Sequence, residues 1–437
     1  MSKMGHRIKE RRKLAGLTQA DISGPNVSTA MISLIERGKT NPSLKILEEI
    51  ATKLGVSVNY LLDKEDGDSD LFENNEVTIN MLKILIKTGK YSDAEEIFGL
   101  LEKQDIEPAL KGYLYKIKGE FSLIHKNYEY AIEYFNESLS FLTPYDLDTY
   151  IEVYSNVATC YRQIRNYQMS IESSLQGLFL LKFNYSSSTN PLIKLKLYYD
   201  QAYSYCRINE FNKGMVVINE ALDLMKATEC YFNEGSFFML KGLVYLYMKD
   251  FQNGIESTQK GLSLLDRDSK VNDHIGSFTN LGIMYREIKD YQLSIKYLEK
   301  SLELCKSSGN RLYEVNSKYE IALTQYISGN SDVAEEICEE QLYDSESSME
   351  LKIKILLLLS HIKLQNGSQG ESLVYANDAE RKALQINHNY LLAKSYLLKS
   401  KILTEQGFYE EANKLLLHSV RIYEGNMEDA YQNLSFI

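Results

Sequence analysis

Apolar residues recur at helical spacing along almost the whole chain. Leu44, Leu47, Ile50, Ala51 and Leu54 fall three and four apart, which is the stripe of one buried helix face. Start and stop residues divide the first 62 positions into five short helices. The first is predicted from about His6 to Ala15, with Ile8 and Leu14 facing inward and Gly16 as its stop. Thr18, with Asp21 three residues on, has the form of a capping box opening the second, which Gly24-Pro25 ends early. Ser28 caps the third, which buries Ile32 and Ile35 and runs to about Arg37 before Gly38. Asn41 and Pro42 fit the N-cap and first turn of the fourth, and Gly55 closes it. Ser57 opens a last short helix with Tyr60, Leu61 and Leu62.

From residue 75 onward one pattern repeats: a small residue preceded three positions earlier by an aromatic, usually after Asp or Asn. GKYSDA, KNYEYA, RNYQMS, NEFNKG, KDFQNG, KDYQLS and GFYEEA are its clear copies, and weaker ones end at Ala334 and Ser372. The small residues are 94, 131, 170, 214, 254, 294, 334, 372 and 412, in steps of 37 to 44. A second small residue lies upstream, often with tyrosine three later, at 158/161, 202/205, 242/245 and 282/285. This predicts helix–turn–helix units in which small residues let paired helices approach and tyrosines fill the grooves beside them. The widest step contains the polar loop FNYSSSTNP, 183–191.

Composition narrows the class to all-α. The five prolines stand at 25, 42, 108, 144 and 191, leaving the rest of the chain free of a residue that breaks helices and populates the turns of all-β folds. The longest apolar run, Ile353 to Leu364, is broken by Lys354, Ser360 and His361 and is too short to span a bilayer. With no long apolar stretch in the basic amino terminus either, the chain reads as soluble and cytoplasmic, with no membrane partner. Five widely spaced cysteines (160, 206, 230, 305, 338) suggest neither disulfides nor a metal site but small buried hydrophobes.

Charge divides the molecule. Residues 1–62 carry ten Lys or Arg against five Asp or Glu, a charge of +5 within a chain of net −11. The remainder therefore carries −16. Between them DKEDGDSDLFENN, residues 63–75, reads as an acidic linker. A basic head can neutralise phosphates, whereas the acidic body, residues 76–437, repels a polyanion.

The string LTQADISGPNVSTAMISLIERGKTNPSLKILEEIATKLGVSVNYLL resembles the Xre/Cro-like helix-turn-helix domain, and the stretch from Ile35 to Ser43 is a specific signature of that class. The resemblance implies that the third predicted helix lies in the DNA major groove. Carried over position by position, Gln19 matches a phosphate- or base-contacting residue. Ser28, Thr29 and Ala30 open the reading helix, and Ser33 and Leu34 continue its exposed side. Arg37, Lys39 and Asn41 match backbone contacts, and Arg12 with Glu36 matches a structural ion pair. Two departures stand out. The turn SGPNVS is about one residue short and contains proline, and the reading helix lacks the Gln, Asn or Arg that make bidentate base contacts. Base readout is therefore expected to be modest per half-site, with specificity coming from two half-sites of a dimer and from DNA shape.

The repeats resemble tetratricopeptide (TPR) units, which implies a right-handed superhelix of about nine helix pairs with a concave inner face. An Xre-like domain followed by such an array resembles the RRNPP family of peptide-responsive regulators. That resemblance implies a double-stranded operator as one partner, a short imported signalling peptide as the other, and a homodimer whose arrangement the peptide changes. In TPR units the position two before the first-helix small residue faces the groove. It holds Asn80, Asn156, Asp200, Leu240, Asn280 and Glu320 in this chain. Asn156 and Asn280 match the family's peptide-binding asparagines best, since a side-chain amide can meet both polar groups of an extended backbone. Arg162 and Arg286 suit a peptide carboxylate, and Tyr199 and Tyr203 suit a side-chain pocket. A second reading makes the array a site for a folded partner such as a response-regulator protein. No glycine-rich phosphate loop, nucleophile motif or metal-ligand spacing is present, so no enzymatic activity and no cofactor is expected.

Overall fold

The helix-spaced, proline-poor pattern produces helices and, among the described residues, no strand pairing beyond one bridge between Gly24 and Val27. The computed structural model describes residues 3–56, 58–62, 75–102, 104, 106–143, 146–182, 191–265, 271–342 and 347–432. The predicted linker up to residue 74, Ser57 and the loop 183–190 lie outside these. The chain forms two compact units, Met1–Ser188 and Thr189–Ile437.

The first unit opens with α1 (Lys3–Leu14), α2 (Thr29–Glu36), α3 (Leu44–Leu54) and α4 (Val58–Leu62). Ile8, Ile22, Ile32, Ile35, Ile50 and Leu61 are fully buried together, and Leu47, Ala51 and Leu54 close the same core. Three local expectations change. Residues 19–22 form turns and no helix, although the capping chemistry is present: the Thr18 N–H and hydroxyl donate to Asp21 Oδ2 at 2.6 and 2.7 Å. Gly24-Pro25 follows too closely for a helix to repay its nucleation. Leu14, expected inside, is 69% exposed, because α1 ends there and the buried Ala15 takes the inward place. Helix α3 begins after Ser43, so Asn41 and Pro42 precede it; Gly55 ends it in the left-handed conformation as expected. The side chains of Leu44 and Leu62 lie outside the described residues.

Three helix pairs follow in the first unit: α5 (Asn75–Lys87) with α6 (Tyr91–Leu101), α7 (Pro108–Ile124) with α8 (Tyr128–Phe141), and α9 (Leu147–Gln163) with α10 (Tyr167–Leu181). Helix α1 touches the first pair, where Arg11 Nη2 donates to Met81 Sδ at 2.7 Å and Lys90 Nζ reaches the Leu14 carbonyl at 3.4 Å. The second unit stacks α11 (Pro191–Arg207) with α12 (Phe211–Thr228), α13 (Glu234–Tyr247) with α14 (Phe251–Leu264), and α15 (Val271–Glu287) with α16 (Tyr291–Ser308). It continues with α17 (Arg311–Ile327) and α18 (Ser331–Leu342), α19 (Met349–Gln365) and α20 (Gln369–Gln385), and α21 (Asn389–Glu405) and α22 (Tyr409–Gln432). Among the described residues this is nine TPR-like pairs.

The small residues sit where the pattern requires them. Ser170 Oγ donates to the Ala158 carbonyl at 2.9 Å, Ser372 Oγ to Ser360 at 2.7 Å, and Ser400 Oγ to Ala412 at 2.8 Å. In the glycine pair 242/254 the helices come so close that a Cβ at Gly242 would stand 3.1 Å from the Gly254 carbonyl. A second close approach brings Ser138 Oγ to the Gly112 carbonyl at 2.7 Å and Ser419 Oγ to Ala393 at 2.9 Å. Each turn inside a pair carries one left-handed residue five positions before the small residue. It is Gly89, Lys126, Arg165, Asn209, Lys249, Lys289, Gly329, Gly367 and Gly407 in order. The next N–H then closes back on the helix, as from Asp290 to the Tyr285 carbonyl at 2.9 Å. Asn166, Asp250 and Asp290 cap the second helix, which explains the polar residue before each aromatic.

Candidate DNA-reading face and inner surface of the repeats

Helix α2 turns Ile32, Ile35 and Glu36 into the core, and its opposite side faces solvent. Thr29 and Ala30 are exposed, Leu34 is 40% exposed and Ser33 is half-buried. Ser28 caps the helix by accepting from the Met31 N–H at 3.3 Å. Arg37 folds back on α2, donating from Nε to the Ser33 carbonyl at 3.0 Å and from Nη2 to Ser33 Oγ at 2.6 Å. Lys39 and Asn41 are exposed. The expected ion pair is present: Arg12 donates from Nε and Nη2 to Glu36 at 2.5 and 3.0 Å, with its Nη1 on the Leu17 carbonyl. Gln19 joins it, its Nε2 donating to Glu36 Oε2 at 2.7 Å. Burial alone would raise the Glu36 carboxyl, but hydrogen bonds from Arg12 and Gln19 more than reverse this and hold it below its ordinary value. The side-chain amide of Gln19 is therefore spent at least partly inside the domain.

In the repeats of the first unit, Asn156 is half-buried on α9 and makes no hydrogen bond among the described residues. One turn earlier Glu152 pairs with Lys116 of α7, which also approaches Glu120 at 3.4 Å. Arg162, further along α9, is half-buried and already engaged.

In the second unit Asp200 is 2% exposed and engaged within the protein. Tyr199 is buried edge-on against Phe237, ring centres 5.5 Å apart, and lies 6.3 Å from Tyr203. Tyr203 is the half-buried member of this pair. Asn280 on α15 is half-buried and, like Asn156, without a hydrogen bond among the described residues. Arg286 is only 7% exposed. Its Nη1 donates to Glu320 Oε2 of α17 at 2.6 Å, while its buried Nε–H finds no acceptor, the nearest carboxylate being Glu287 at 3.6 Å.

Sequence reasoning missed a cavity of about 870 Å³ lined by α17, α19 and α21, among them Glu320, Leu358 and Leu398. The signal was available. Ser360 and Ser400 are the first-helix small residues of these repeats, and the positions two before them are Leu358 and Leu398. A leucine at this position has the same sequence signature as a core residue, whereas an asparagine stands out.

Four of the five cysteines are buried and none is in a disulfide; burial pushes the thiols of Cys206 and Cys338 up to about 12. Among the described residues no three His, Cys, Asp or Glu side chains are placed to hold a metal, and no helix is long and apolar enough to cross a membrane.

The helix-turn-helix family matches residues 8–61, and a tetratricopeptide-repeat family matches residues 273–340. The chain is 40% identical over 62 residues to the HTH-type transcriptional regulator DdrOP3 of Deinococcus deserti, covering 14% of this chain and 48% of that protein. It is 39% identical over 74 residues to the HTH-type transcriptional regulator SinR of Bacillus subtilis, covering 15% of this chain and 67% of that protein. This chain spans about half the length of DdrOP3. In fold it is similar to the apo form of the quorum sensor NprR from B. thuringiensis, with a TM-score of 0.64 at 14% identity over 82% of this chain and all of that one.

Proposed function

Since this chain belongs with the helix-turn-helix transcriptional regulators and has the RRNPP architecture, an Xre-like domain followed by TPR repeats, we propose that it is a peptide-switched regulator. It binds operator DNA as a homodimer, and a short signalling peptide held against the repeats changes how the two DNA-binding domains engage. The observation that carries the reading is the join itself. A basic domain of charge +5, with the open side of α2 exposed, shares a chain with an acidic array whose Asn156 and Asn280 amides meet no protein group among the described residues. A half-buried amide that meets only water is available to a ligand, and an extended peptide backbone supplies both the donors and the acceptors it needs. The likeness in fold to a quorum sensor and in sequence to transcriptional regulators supports the same reading.

The domain reads DNA through Ser28, Thr29, Ala30, Ser33 and Leu34 toward base edges, with Arg37, Lys39, Asn41 and Gln19 toward the backbone. The test is a mobility shift at low salt with DNA from upstream of the gene, repeated with synthetic peptides encoded by short reading frames beside it. A shift that such a peptide alters is expected; no binding at low salt overturns the reading.

A further inference from the structure

The cavity between α17, α19 and α21 has an apolar floor. Leu357, Leu358, Leu391 and Leu398 are at most 9% exposed. Its rim is cationic, set with Lys354, Lys394 and Lys401 beside His361. Lys354 meets Glu350 at 2.8 Å, but that pair is half in water and weak. Lys394 lies over the Tyr390 ring, 4.5 Å from its centre. Lys401 has no ion pair among the described residues. The one carboxylate among the lining side chains, Glu320, is already matched by Arg286. Positive charge is therefore in surplus over a hydrophobic hollow, within a body that is otherwise strongly acidic. His361 registers the field: although the residue is exposed, crowding of its ring by the cavity wall, then Lys401 and Lys394, hold its imidazole below the ordinary value.

Such a site complements a ligand with an apolar body and one anionic end. We propose that this cavity anchors the carboxyl terminus of the signalling peptide, with apolar side chains on the leucine floor and the free α-carboxylate among Lys354, Lys394 and Lys401. The proposal rests on the reading of the repeats as a peptide sensor and names the chemistry of the peptide's end. A continuing chain, rather than a compact acid, is favoured by what lies beside the cavity. Glu320, Leu358 and Leu398 line it, and Asn280 of α15 holds the same position one repeat earlier. A peptide running from the cavity toward α15 reaches the Asn280 amide, which meets no protein group among the described residues, whereas an aliphatic acid leaves it to water.

The test uses the full chain and two pools of N-acetyl heptapeptides. Both carry Leu, Ile, Val or Phe in their last three positions; one ends in a free carboxylate, the other in a carboxamide. Retention is read by affinity selection and mass spectrometry. The free-acid pool is expected to be retained about tenfold better, the scale of one charge-assisted contact. The advantage should vanish in a Lys394→Gln/Lys401→Gln double variant whose melting temperature is unchanged. Equal retention of both pools, or retention of neither, overturns the anchor. Retention of decanoate in a lysine-dependent way, without the acid pool, also overturns it in favour of an aliphatic acid. A peptide that alters DNA binding with no preference for acid over amide sinks the anchor and leaves the proposed function. Acid-selective retention with no effect of any peptide on DNA does the reverse.

Discussion

Arg286 and Glu320 join neighbouring first helices across 2.6 Å, and the arginine keeps one buried N–H that nothing accepts. The pair is almost out of water, with side chains 7% and 14% exposed. Removing the carboxylate leaves a cation in a place built for an ion pair, which is worse than never having had one. Glu320→Ala should cost about 3 kcal/mol in urea unfolding. A Glu320→Ala/Arg286→Met double variant should recover most of that loss, because the stranded charge is gone. A double variant as unstable as the single one would show that the carboxylate matters for packing instead.

The Glu36 carboxyl sits below its ordinary value in the folded domain. Its stabilising contribution is therefore complete above the unfolded carboxyl range and is lost as pH falls through the lower, folded value. Opening of residues 3–62, followed by hydrogen exchange corrected for its intrinsic rate, should ease as pH drops below about 4. In Glu36→Gln the domain should be weaker at neutral pH by about 3 kcal/mol, and that acid step should flatten. An unchanged acid step in the variant would place the titrating group elsewhere.

Phosphate contacts and base contacts separate by their salt dependence. Arg37→Ala and Lys39→Ala should each weaken binding to all DNA sequences and lower the slope of log affinity against log salt by about 1. Thr29→Ala should leave that slope alone and relax the preference at one base pair of each half-site. Fluorescence anisotropy over a salt series distinguishes the two behaviours. If Lys39→Ala leaves the slope unchanged, that lysine is a solvated charge only.

Gly261 lies where two helices of one repeat meet backbone to backbone. A Cβ there would stand 2.9 Å from the Gly235 carbonyl and 3.0 Å from the Met239 nitrogen, with no flexible side chain to yield. Gly261→Ala should cost about 3 kcal/mol, seen as a lower melting temperature. Gly276→Ala, whose added methyl meets nothing, is the matched control and should be neutral or slightly stabilising.

The repeats were legible because their spacing is a packing rule. Residues 158 and 170, or 400 and 412, are small since the two helices touch there, and any larger side chain would show at once in the pattern. The ion pair of Arg12 and Glu36 was legible from the helix-turn-helix resemblance. What failed did so on short-range competition. Thr18 and Asp21 carry a helix-start signal that is satisfied as an isolated turn, and Leu14 has a helical spacing that its position at the helix end cancels. Among the residues expected to face a peptide, burial decided what sequence could not. Tyr199 and Asp200 look as available as Asn280 in the sequence, yet they are buried and engaged. The cavity was invisible because leucines at the groove position read as core.

The left-handed residue in each repeat turn is glycine at 89, 329, 367 and 407, and lysine, arginine or asparagine at 126, 165, 209, 249 and 289. A side chain in that conformation costs on the order of 1 kcal/mol that glycine does not pay. The strained turns are thus consecutive, from the second pair to the sixth, with relaxed ones at both ends. Thermal fluctuation should begin in the middle of the array and leave its margins quiet, so the repeats that carry Asn156 and Asn280 are also the ones set closest to yielding.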